Sequence, residues 1–374
     1  MKAFEFCCPT KIIAGAHALD KLPGELADRG VAHPLVMTDA GLVKLGVAAK
    51  LTDVLDAAGV AYDVFDQVPP DSSMDVVNEV ARLYAARGCD GFVAIGGGSV
   101  IDTTKGAAAS LACEGVDFAT LQGSEILHAD LPPFIAVPTT AGTGSEVTCW
   151  ATIWDPEQNC KRSLESQENY AYAALVDPEL AQGMPVQLAV SSALDAAAHA
   201  VESYWANHTN AVSRGLALEA IATVMGGIDG LLENAPAAHE AMARGSLLAG
   251  LAFSNTKTTA CHSISYPLTM RYHIPHGTAV ALLLAPVLEL NAPAVPGLDR
   301  LFHALGVEDA AGLHARVRDL LERSGQPATL QGWGVKMEEL PRLAALGMTK
   351  GRADNNPTAL DSITIEKLLR SIYQ

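Results

Sequence analysis

Residues 92–105 read FVAIGGGSVIDTTK, a strand-like apolar run that leads through three glycines into a segment able to form a helix. Glycines at the carboxyl end of a strand let the backbone approach a phosphate closely, and the amino end of the following helix favours the negative charge. A plain tight turn would need only one or two glycines. The stretch therefore predicts a pyrophosphate-containing cofactor, although it lacks the G-x-G-x-x-G spacing of the usual dinucleotide fingerprint.

A second corner of the same kind follows the apolar run 134–137. Residues 138–146 read PTTAGTGSE, and their small and hydroxyl-bearing side chains are suited to line the other side of such a cofactor. A solvated Thr/Gly loop is the alternative interpretation of this segment taken alone.

The first half of the chain alternates strand-like and helix-like stretches. Strands are predicted at 35–38, 62–65 and 92–95, and helices near 42–58 and 74–87. This order predicts βαβ units and a mainly parallel sheet, with ligands at the carboxyl ends of the strands. From about Pro185 the chain is rich in alanine and leucine at helical spacing. We therefore predict an α/β nucleotide-binding domain over 1–184 and an all-helical metal-binding domain over 185–374.

Asp39 directly follows the predicted strand 35–38. An acidic side chain at that position can accept hydrogen bonds from the adenosine ribose and repels a 2′-phosphate, which favours NAD(H) over NADP(H). A role as the N-cap of the next helix is an equally good interpretation of the same residue.

A candidate metal site is formed by one aspartate and three histidines. Asp195 and His199 are four residues apart within an apolar, alanine-rich run, so they project from one face of a helix. A buried charge is costly unless it is paired or coordinated, which favours a bound cation. His262 and His276 require separate elements, because Pro267 and Pro275 stand between them and forbid one continuous helix. Three nitrogens and one carboxylate oxygen suit iron or zinc, and not calcium or magnesium.

The composition agrees with two globular domains. The chain has 374 residues, of which 49% are hydrophobic, and this length exceeds that of a typical single domain. The formal net charge of -17 argues against nucleic acid and anionic membranes as partners. Residues 1–13 lack the apolar core of a signal peptide, and we expect no run long enough to span a bilayer. Seven cysteines without a C-x-x-C indicate a reducing cytoplasm and no disulfide framework.

These motifs, in this order, resemble the iron-dependent (group III) alcohol dehydrogenases. The match includes GGGSxxD at 96–102, PTTAGTGSE at 138–146, D-x3-H at 195–199 and two histidines at 262 and 276. It runs essentially end to end, from residues 6–12 to the Asn-Asn-Pro at 355–357. The resemblance implies an N-terminal nucleotide-binding domain, a helical C-terminal domain, and the interconversion of an aldehyde and an alcohol with a metal and a nicotinamide coenzyme.

The resemblance also implies roles for individual residues. It assigns Fe2+, or Zn2+ in its place, to Asp195, His199, His262 and His276. It assigns the nicotinamide nucleotide to a larger set, namely Asp39, Asp71, Gly97, Gly98, Ser99, Asp102, Thr139, Thr140, Thr143 and Lys161. Chemistry alone supports Lys161 least, since a lysine in a polar loop is usually solvated.

The sequence departs from the family pattern at residues that are candidates for contacting the substrate. Tyr266 stands where many members carry a further histidine, so it is a candidate proton donor or a packing residue. His273 is a candidate proton relay, with an exposed loop histidine as the alternative. Lys257 is a candidate for holding an anionic group, with Arg271 as a second candidate cation. A lysine that extends to solvent is an equally good interpretation of Lys257.

The Lys-Thr-Thr at 257–259, together with Ser-Tyr-Pro at 265–267, resembles the branch of the family that reduces phosphonoacetaldehyde to 2-hydroxyethylphosphonate. The resemblance therefore implies a small anionic aldehyde as substrate. Reductases of short neutral aldehydes or diols of the lactaldehyde/1,2-propanediol type are the nearest alternative. Zinc glycerol dehydrogenases, sugar-phosphate cyclases and a non-enzymatic metal-binding protein are more distant alternatives.

Relatives are usually dimers or larger assemblies, so we expect a cytoplasmic homodimer with no nucleic acid or membrane partner.

Overall fold

The computed structural model describes residues 3–113, 117–121, 123, 124, 127, 130–158, 160–349 and 351–374. These residues form two compact units. The α/β unit comprises the described residues of Cys8–Thr140 and Ser145–Ala181. The helical unit comprises the described residues up to Cys7, then Ala141–Gly144, then those of Gln182–Gln374. A short piece of the N-terminal half therefore belongs to the helical unit.

The α/β unit alternates strands and helices, as βαβ units require. Its described strands are β1 Lys11–Ala14, β2 Pro34–Met37, β3 Asp63–Phe65, β4 Gly91–Gly96, β5 Gly123–Ser124, β6 Phe134–Pro138, β7 Trp150–Asp155, β8 Cys160–Glu165 and β9 Ala173–Val176. Its described α-helices are α1 Leu22–Asp28, α2 Ala40–Lys44, α3 Val47–Ala58, α4 Met74–Arg87 and α5 Gly98–Ala112.

Six of the strands form one sheet in the order β1-β9-β6-β4-β2-β3, and every pairing in it is parallel. Successive residues of a strand face opposite sides of this sheet, and both sides are covered. In β4, Phe92 packs into one apolar cluster and Val93 into another. Burial on both faces explains why the central strands are continuous apolar runs. The predicted parallel α/β fold is confirmed.

Two features of the α/β unit differ from the sequence-based expectation. The helix predicted near 42–58 is two helices, α2 and α3, because Gly46 adopts a left-handed conformation with φ of 73° between them. A second, three-stranded sheet in the order β5-β8-β7 was not predicted. Its β7 and β8 form an antiparallel hairpin.

The helical unit is built from helices whose alanines allow close packing. Its described α-helices are α6 Val186–Trp205, α7 Ala211–Gly227, α8 Pro236–Phe253, α9 Ala260–Tyr272, α10 His276–Asn291, α11 Leu298–Leu305, α12 Ala310–Arg323, α13 Leu340–Leu346 and α14 Ser362–Ser371. In α6 the run from Ala196 to Ala198 has no exposed surface. The predicted helical second half is confirmed.

The segment Ala141–Gly144 packs against α6 and α8 with glycines at both contacts. Gly144 has φ of +58°, and a Cβ added there would lie 2.5 Å from the Cα of Gly250 in α8. A Cβ on Gly142 would lie 2.8 Å from the backbone oxygen of Ser192 in α6. Only glycine permits both of these backbone contacts.

Two helical stretches are long and apolar enough to cross a membrane by length and composition alone, which corrects the expectation that no such run exists. They are Ala211–Glu233 and His276–Ala294. A buried core helix meets the same criterion, and 67% of the apolar window in the second stretch is buried within the protein. Its leucines belong to the core of the helical unit. These two stretches are weak evidence for a membrane segment.

Candidate metal centre

Helix α6 presents three charged or polar side chains on one buried face. Asp195, His199 and Glu202 follow one another at spacings of four and three residues, which aligns them along the helix. All three are buried, and Glu202 has no exposed surface. Such a cluster in an alanine-rich core helix is costly unless every member has a polar partner or a cation.

Two further histidines reach Asp195 from α9 and α10. The Nε2 atom of His262 lies 3.4 Å from Asp195 Oδ1, and the Nε2 atom of His276 lies 4.0 Å from it. On α6 itself, His199 Nδ1 lies 3.8 Å from the same oxygen. The four residues predicted from the sequence therefore converge on one carboxylate oxygen. The tightest set is Asp195, His262 and His276, whose ligand atoms all lie within 4.8 Å of one another.

The donor atoms at this point fit a divalent cation. Asp195 Oδ1, His199 Nδ1 and His262 Nε2 are buried and have no hydrogen-bond partner among the described residues. Ligand atoms about 2.1 Å from a tetrahedral iron or zinc ion are separated by roughly 3.4 Å. The observed separations are of that size or slightly larger. Buried polar atoms of this kind are normally satisfied, so a bound cation is the simplest partner for all of them.

The arrangement of the proline-containing segment differs in one detail from the expectation. Helix α9 continues through Pro267, and the chain leaves helical geometry only at His273, which has φ of 54°. Helix α10 then begins at His276, directly after Pro275. Two helices do carry the two histidines, but Pro267 does not cause the break.

Glu202 is a functional candidate that the sequence analysis missed. Its Oε2 atom accepts a short hydrogen bond from His262 Nδ1. Its Oε1 atom accepts from the Thr259 hydroxyl and from the backbone N–H of Cys261, each at 2.7 Å. This contact fixes the ring of His262 so that Nε2 faces Asp195. A carboxylate behind a ligating histidine is a common feature of protein metal sites.

The electrostatics of the centre favour positive charge. Burial opposes it, yet the carboxylates of Glu202 and Asp195 raise the pKa of His262 to about 10. Burial likewise opposes ionisation of Asp195, but the surrounding histidines hold the pKa of its carboxyl below its ordinary value. Burial lowers the pKa of His199 to about 4, which keeps that imidazole neutral. Neutral imidazole is the form that can donate a lone pair to a metal.

We expect the substitution Glu202→Gln to weaken metal binding. The amide keeps the size of the side chain but removes the charge that orients and polarises His262. Loss of such a contact typically lowers metal affinity by about 10- to 100-fold. Competition against a chelator, with iron and separately with zinc, measures the change. The exposed Glu219 on α7 provides the matched control in Glu219→Gln, and equal metal affinity for the two variants would contradict the prediction.

Aromatic rings surround the histidines. The ring of Phe253 stacks on His199 with centroids 4.2 Å apart. The ring of Tyr266 stacks on His276 with centroids 5.9 Å apart and an interplanar angle of 16°. Tyr266 follows His262 by four residues and therefore shares its face of α9. Tyr266 is therefore a substrate-side candidate in contact with a predicted metal ligand.

The other substrate-side candidates lie at the ends of α9 or beyond them. Lys257 is half-buried in the loop before α9, in a left-handed conformation with φ of 62°. His273 is exposed at the opposite end of the helix. Arg271 is nine residues after His262, which places it on the opposite face, about 13 Å further along the axis.

The first glycine corner and the start of the second, residues 138–140, lie side by side in the α/β unit. Strands β4 and β6 are neighbours, and the backbone N–H of Thr139 donates to the oxygen of Gly96 at 3.0 Å. A Cβ on Gly97 would lie 3.2 Å from the side chain of Thr140, so glycine keeps the space between the corners open. Helix α5 begins at Gly98, directly after Gly97.

The other predicted nucleotide contacts are distributed over both units. Ser99 Oγ accepts from the backbone N–H of Asp71 at 3.2 Å, and Lys161 Nζ lies 3.0 Å from Asp71 Oδ1. Asp39 caps α2, since its Oδ1 accepts from the N–H of Leu42 at 3.0 Å. Asp39 therefore acts as the N-cap of α2 through one of its two carboxylate oxygens. Thr143 belongs to the helical unit and is the exception among the ten residues.

A buried lysine to which the sequence assigned no role ties the second corner together. Lys105 has no exposed surface, and its ammonium group donates to the backbone oxygens of Ser145, Thr148 and Trp150 at 2.7, 2.8 and 2.9 Å. Asp102, one turn earlier, accepts from the Ser145 hydroxyl and from the N–H of Thr152. The two side chains fix the path of residues 145–152. The feature of the sequence that could have indicated this role is the charged pair at 102 and 105 within an otherwise largely apolar helix.

Comparison with known proteins adds the family. The family model described as "Iron-containing alcohol dehydrogenase" matches residues 9–178. The family model described as "Fe-containing alcohol dehydrogenase family, C-terminal" matches residues 189–373. A choline dehydrogenase from Bacillus subtilis (strain 168) is 33% identical over 386 residues, covering 100% of this chain and 95% of the relative. A lactaldehyde reductase from Escherichia coli (strain K12) is 34% identical over 355 residues, covering 92% of each.

A solved structure gives the same result for the fold. The sulfoacetaldehyde reductase from Bifidobacterium kashiwanohense in complex with NAD+ is similar with a TM-score of 0.90 and 27% identity. The match covers 100% of this chain and 99% of that chain. The expected iron and NAD(H) fit these matches. The chain belongs to the iron-containing alcohol dehydrogenase family, and it is a metal-dependent oxidoreductase acting on CH–OH groups.

Proposed function

We propose that the chain is an iron-dependent, NAD(H)-linked reductase of a small aldehyde that carries an anionic group, such as phosphonoacetaldehyde, which it converts to 2-hydroxyethylphosphonate. The observation that carries the metal-dependent reaction is the set of buried donor atoms around Asp195 Oδ1 that have no hydrogen-bond partner among the described residues. In the reverse direction, the proposed reaction is the oxidation of the corresponding alcohol.

Asp195, His199, His262 and His276 are proposed to hold the iron, with zinc as the alternative ion. When bound, the metal polarises the substrate carbonyl as a Lewis acid and the reduced nicotinamide supplies the hydride. Glu202 accepts the hydrogen bond of His262 Nδ1, so a bound cation would take the place of the proton on Nε2. Tyr266 stacks on His276, and its hydroxyl is the proposed source of the proton that the product oxygen receives. His273, exposed after α9, is proposed to pass protons between this region and solvent.

The coenzyme is proposed to bind at the glycine corners of the α/β unit. The amino end of α5 favours the phosphates, with backbone N–H groups of Gly97, Gly98 and Ser99 as donors. Asp39 uses one oxygen to cap α2, and the other is proposed to accept from the ribose hydroxyls. That negative charge disfavours the 2′-phosphate of NADP(H). The remaining proposed contacts are Asp71, Asp102, Thr139, Thr140, Thr143 and Lys161.

Two arguments support an anionic substrate. A relative of known fold is a reductase of sulfoacetaldehyde, an aldehyde with a sulfonate group. The half-buried Lys257 is held in the loop before α9 by its backbone N–H, which donates to the oxygen of Phe253 at 2.8 Å. Lys257 is therefore proposed as one cation for the anionic group, with Arg271 as a second. Other relatives are named for choline and lactaldehyde, so a cationic or a neutral substrate is the competing hypothesis.

A panel assay tests the proposal. The protein is loaded anaerobically with iron, or with zinc, and the consumption of NADH or NADPH is followed with phosphonoacetaldehyde, sulfoacetaldehyde, lactaldehyde and propanal. We expect kcat/KM to be at least about tenfold higher for the two anionic aldehydes than for propanal, and higher with NADH than with NADPH. Higher kcat/KM for lactaldehyde or propanal would favour the neutral-substrate alternative. Turnover without net NADH consumption would instead indicate a cyclase.

We further propose that the protein is a cytoplasmic homodimer that takes part in phosphonate metabolism. The net charge of -17 supports a partner set without nucleic acid or anionic membranes. Light scattering coupled to size exclusion distinguishes the dimer from a monomer or a larger assembly.

A further inference from the structure

We propose that Arg352 is the residue that recognises the anionic group of the substrate, and that it does so from a stack with Tyr266 beside the metal centre. This inference rests on the proposed function, because it names the group that would select an anionic aldehyde over a neutral one. The ligand class is a short aldehyde or alcohol that ends in a phosphonate or sulfonate.

Arg352 lies close to the predicted metal ligands. Its guanidinium carbon is 5.2 Å from the centroid of the Tyr266 ring. That ring in turn stacks on His276, with centroids 5.9 Å apart. The guanidinium therefore lies no further from the His276 ring than the sum of these two separations. The Tyr266 ring therefore links Arg352 to the predicted ligand His276.

The backbone around Arg352 is fixed by hydrogen bonds to α9 and to the loop before it. The hydroxyl of Ser263 donates to the oxygen of Gly347 at 2.6 Å and accepts from the N–H of Thr349 at 2.8 Å. Beyond Arg352, the amide of Asn355 donates to the oxygens of Thr256 and Thr258 at 2.8 and 3.1 Å. The segment that carries the arginine is therefore anchored to the helix that carries His262.

Arg352 has no acidic partner in the part of the chain that the structure describes. Its guanidinium forms no ion pair or hydrogen bond with those residues. Other arginines of this acidic protein do: Arg162, Arg316 and Arg370 each contact a carboxylate. Stacking on Tyr266 uses the flat face of the guanidinium and leaves its N–H edge available. The planar edge matches the oxygens of a phosphonate or sulfonate, which it can bind with two parallel hydrogen bonds.

The alternative is that Arg352 only packs on Tyr266. A packing role would affect neutral and anionic substrates equally, since it would act through the position of Tyr266 or through the stability of the unit. Recognition of an anion affects only substrates that carry one. The two roles are therefore separated by the ratio of kcat/KM values for an anionic and a neutral aldehyde.

The experiment compares the iron-loaded wild type with Arg352→Met, Arg352→Lys and the control Arg318→Met, an exposed arginine paired with Glu322. For Arg352→Met we expect kcat/KM for phosphonoacetaldehyde to fall by roughly 10- to 100-fold, with propanal changed by less than about twofold. Arg352→Lys should recover part of the loss. Calorimetry with 2-hydroxyethylphosphonate should show a matching rise in Kd, and Arg318→Met should resemble the wild type.

The outcomes separate this inference from the proposed function. If the wild type prefers anionic aldehydes and Arg352→Met keeps that preference, the inference about Arg352 is overturned while the proposed function stands. An equal loss with propanal and with phosphonoacetaldehyde also overturns it, in favour of packing. If the wild type itself shows no preference for the anion, the proposed substrate class fails, and the inference fails with it.

Discussion

Replacement of Asp195 by alanine is expected to abolish iron binding and to lower kcat/KM by at least about 1,000-fold. The reason is that Oδ1 of this residue is the atom on which the three histidines converge, at 3.4, 3.8 and 4.0 Å. A bound metal contributes on the order of several kcal/mol to the stabilisation of the transition state, and each 1.4 kcal/mol is about tenfold in rate. Without the carboxylate, three imidazoles alone would have to hold the ion.

The measurement is iron content by elemental analysis after anaerobic loading, together with steady-state kinetics. Asp195→Asn keeps the shape of the side chain and removes its charge, so it separates a geometric effect from an electrostatic one. NADH binding, followed by nucleotide fluorescence, provides the control, because the first glycine corner, at residues 96–102, belongs to the other unit and should be unaffected. Full iron occupancy and wild-type turnover in Asp195→Ala would exclude the assigned ligand set.

The second large effect is expected for Gly277→Ala, which follows His276 at the start of α10. A Cβ on Gly277 would lie 2.0 Å from the backbone oxygen of Ser191 and 3.0 Å from the Cβ of Asp195. The first neighbour is backbone of α6 and cannot rotate away, so the two helices must separate. Overpacking of this kind costs about 3 kcal/mol of the free energy of unfolding. It also moves His276 away from Asp195, so iron affinity should fall as well.

Thermal unfolding of the metal-free and iron-loaded protein measures both consequences. For a unit of this size, about 3 kcal/mol corresponds to roughly 6–12 °C in Tm. The matched control is Gly215→Ala in the interior of α7, where an added Cβ would meet nothing within 4 Å. That change should leave Tm unchanged or raise it, since alanine favours the helix over glycine. Equal Tm values for the two variants would show that α6 and α10 are not held at this glycine.

The sequence was sufficient to predict the fold class, and the three histidines that it proposed as metal ligands do lie around Asp195 Oδ1. Parallel strands buried on both faces are continuous apolar runs, and a charged Asp195 four residues before His199 in an alanine-rich run is stable only with a partner such as a cation. The second sheet was not predictable in the same way, because β8 is largely polar and β7 mixes polar with apolar residues. The split between α2 and α3 depends on the conformation of a single glycine, Gly46.

The residues that contact the predicted site residues could not be identified from the sequence either. Glu202 is one of many acidic residues, and only the folded position of His262, sixty residues later, gives it a role. Arg352 could not be identified in this way, because its partner, Tyr266, is distant in sequence. Arg271, by contrast, was a candidate from the sequence alone, because it follows His262 by nine residues. Pairings of this kind are set by tertiary packing and not by local pattern.

Because Ala141–Gly144 belongs to the helical unit, recombination of genes of this family is restricted. A chimera joined at the boundary between residues 184 and 185 would take this tetrapeptide from one parent and its neighbours Ser192 and Gly250 from the other. A parental side chain larger than hydrogen at position 142 or 144 would clash at these contacts and disfavour assembly of the halves. Crossover designs should therefore inherit residues 141–144 from the same parent as α6 and α8.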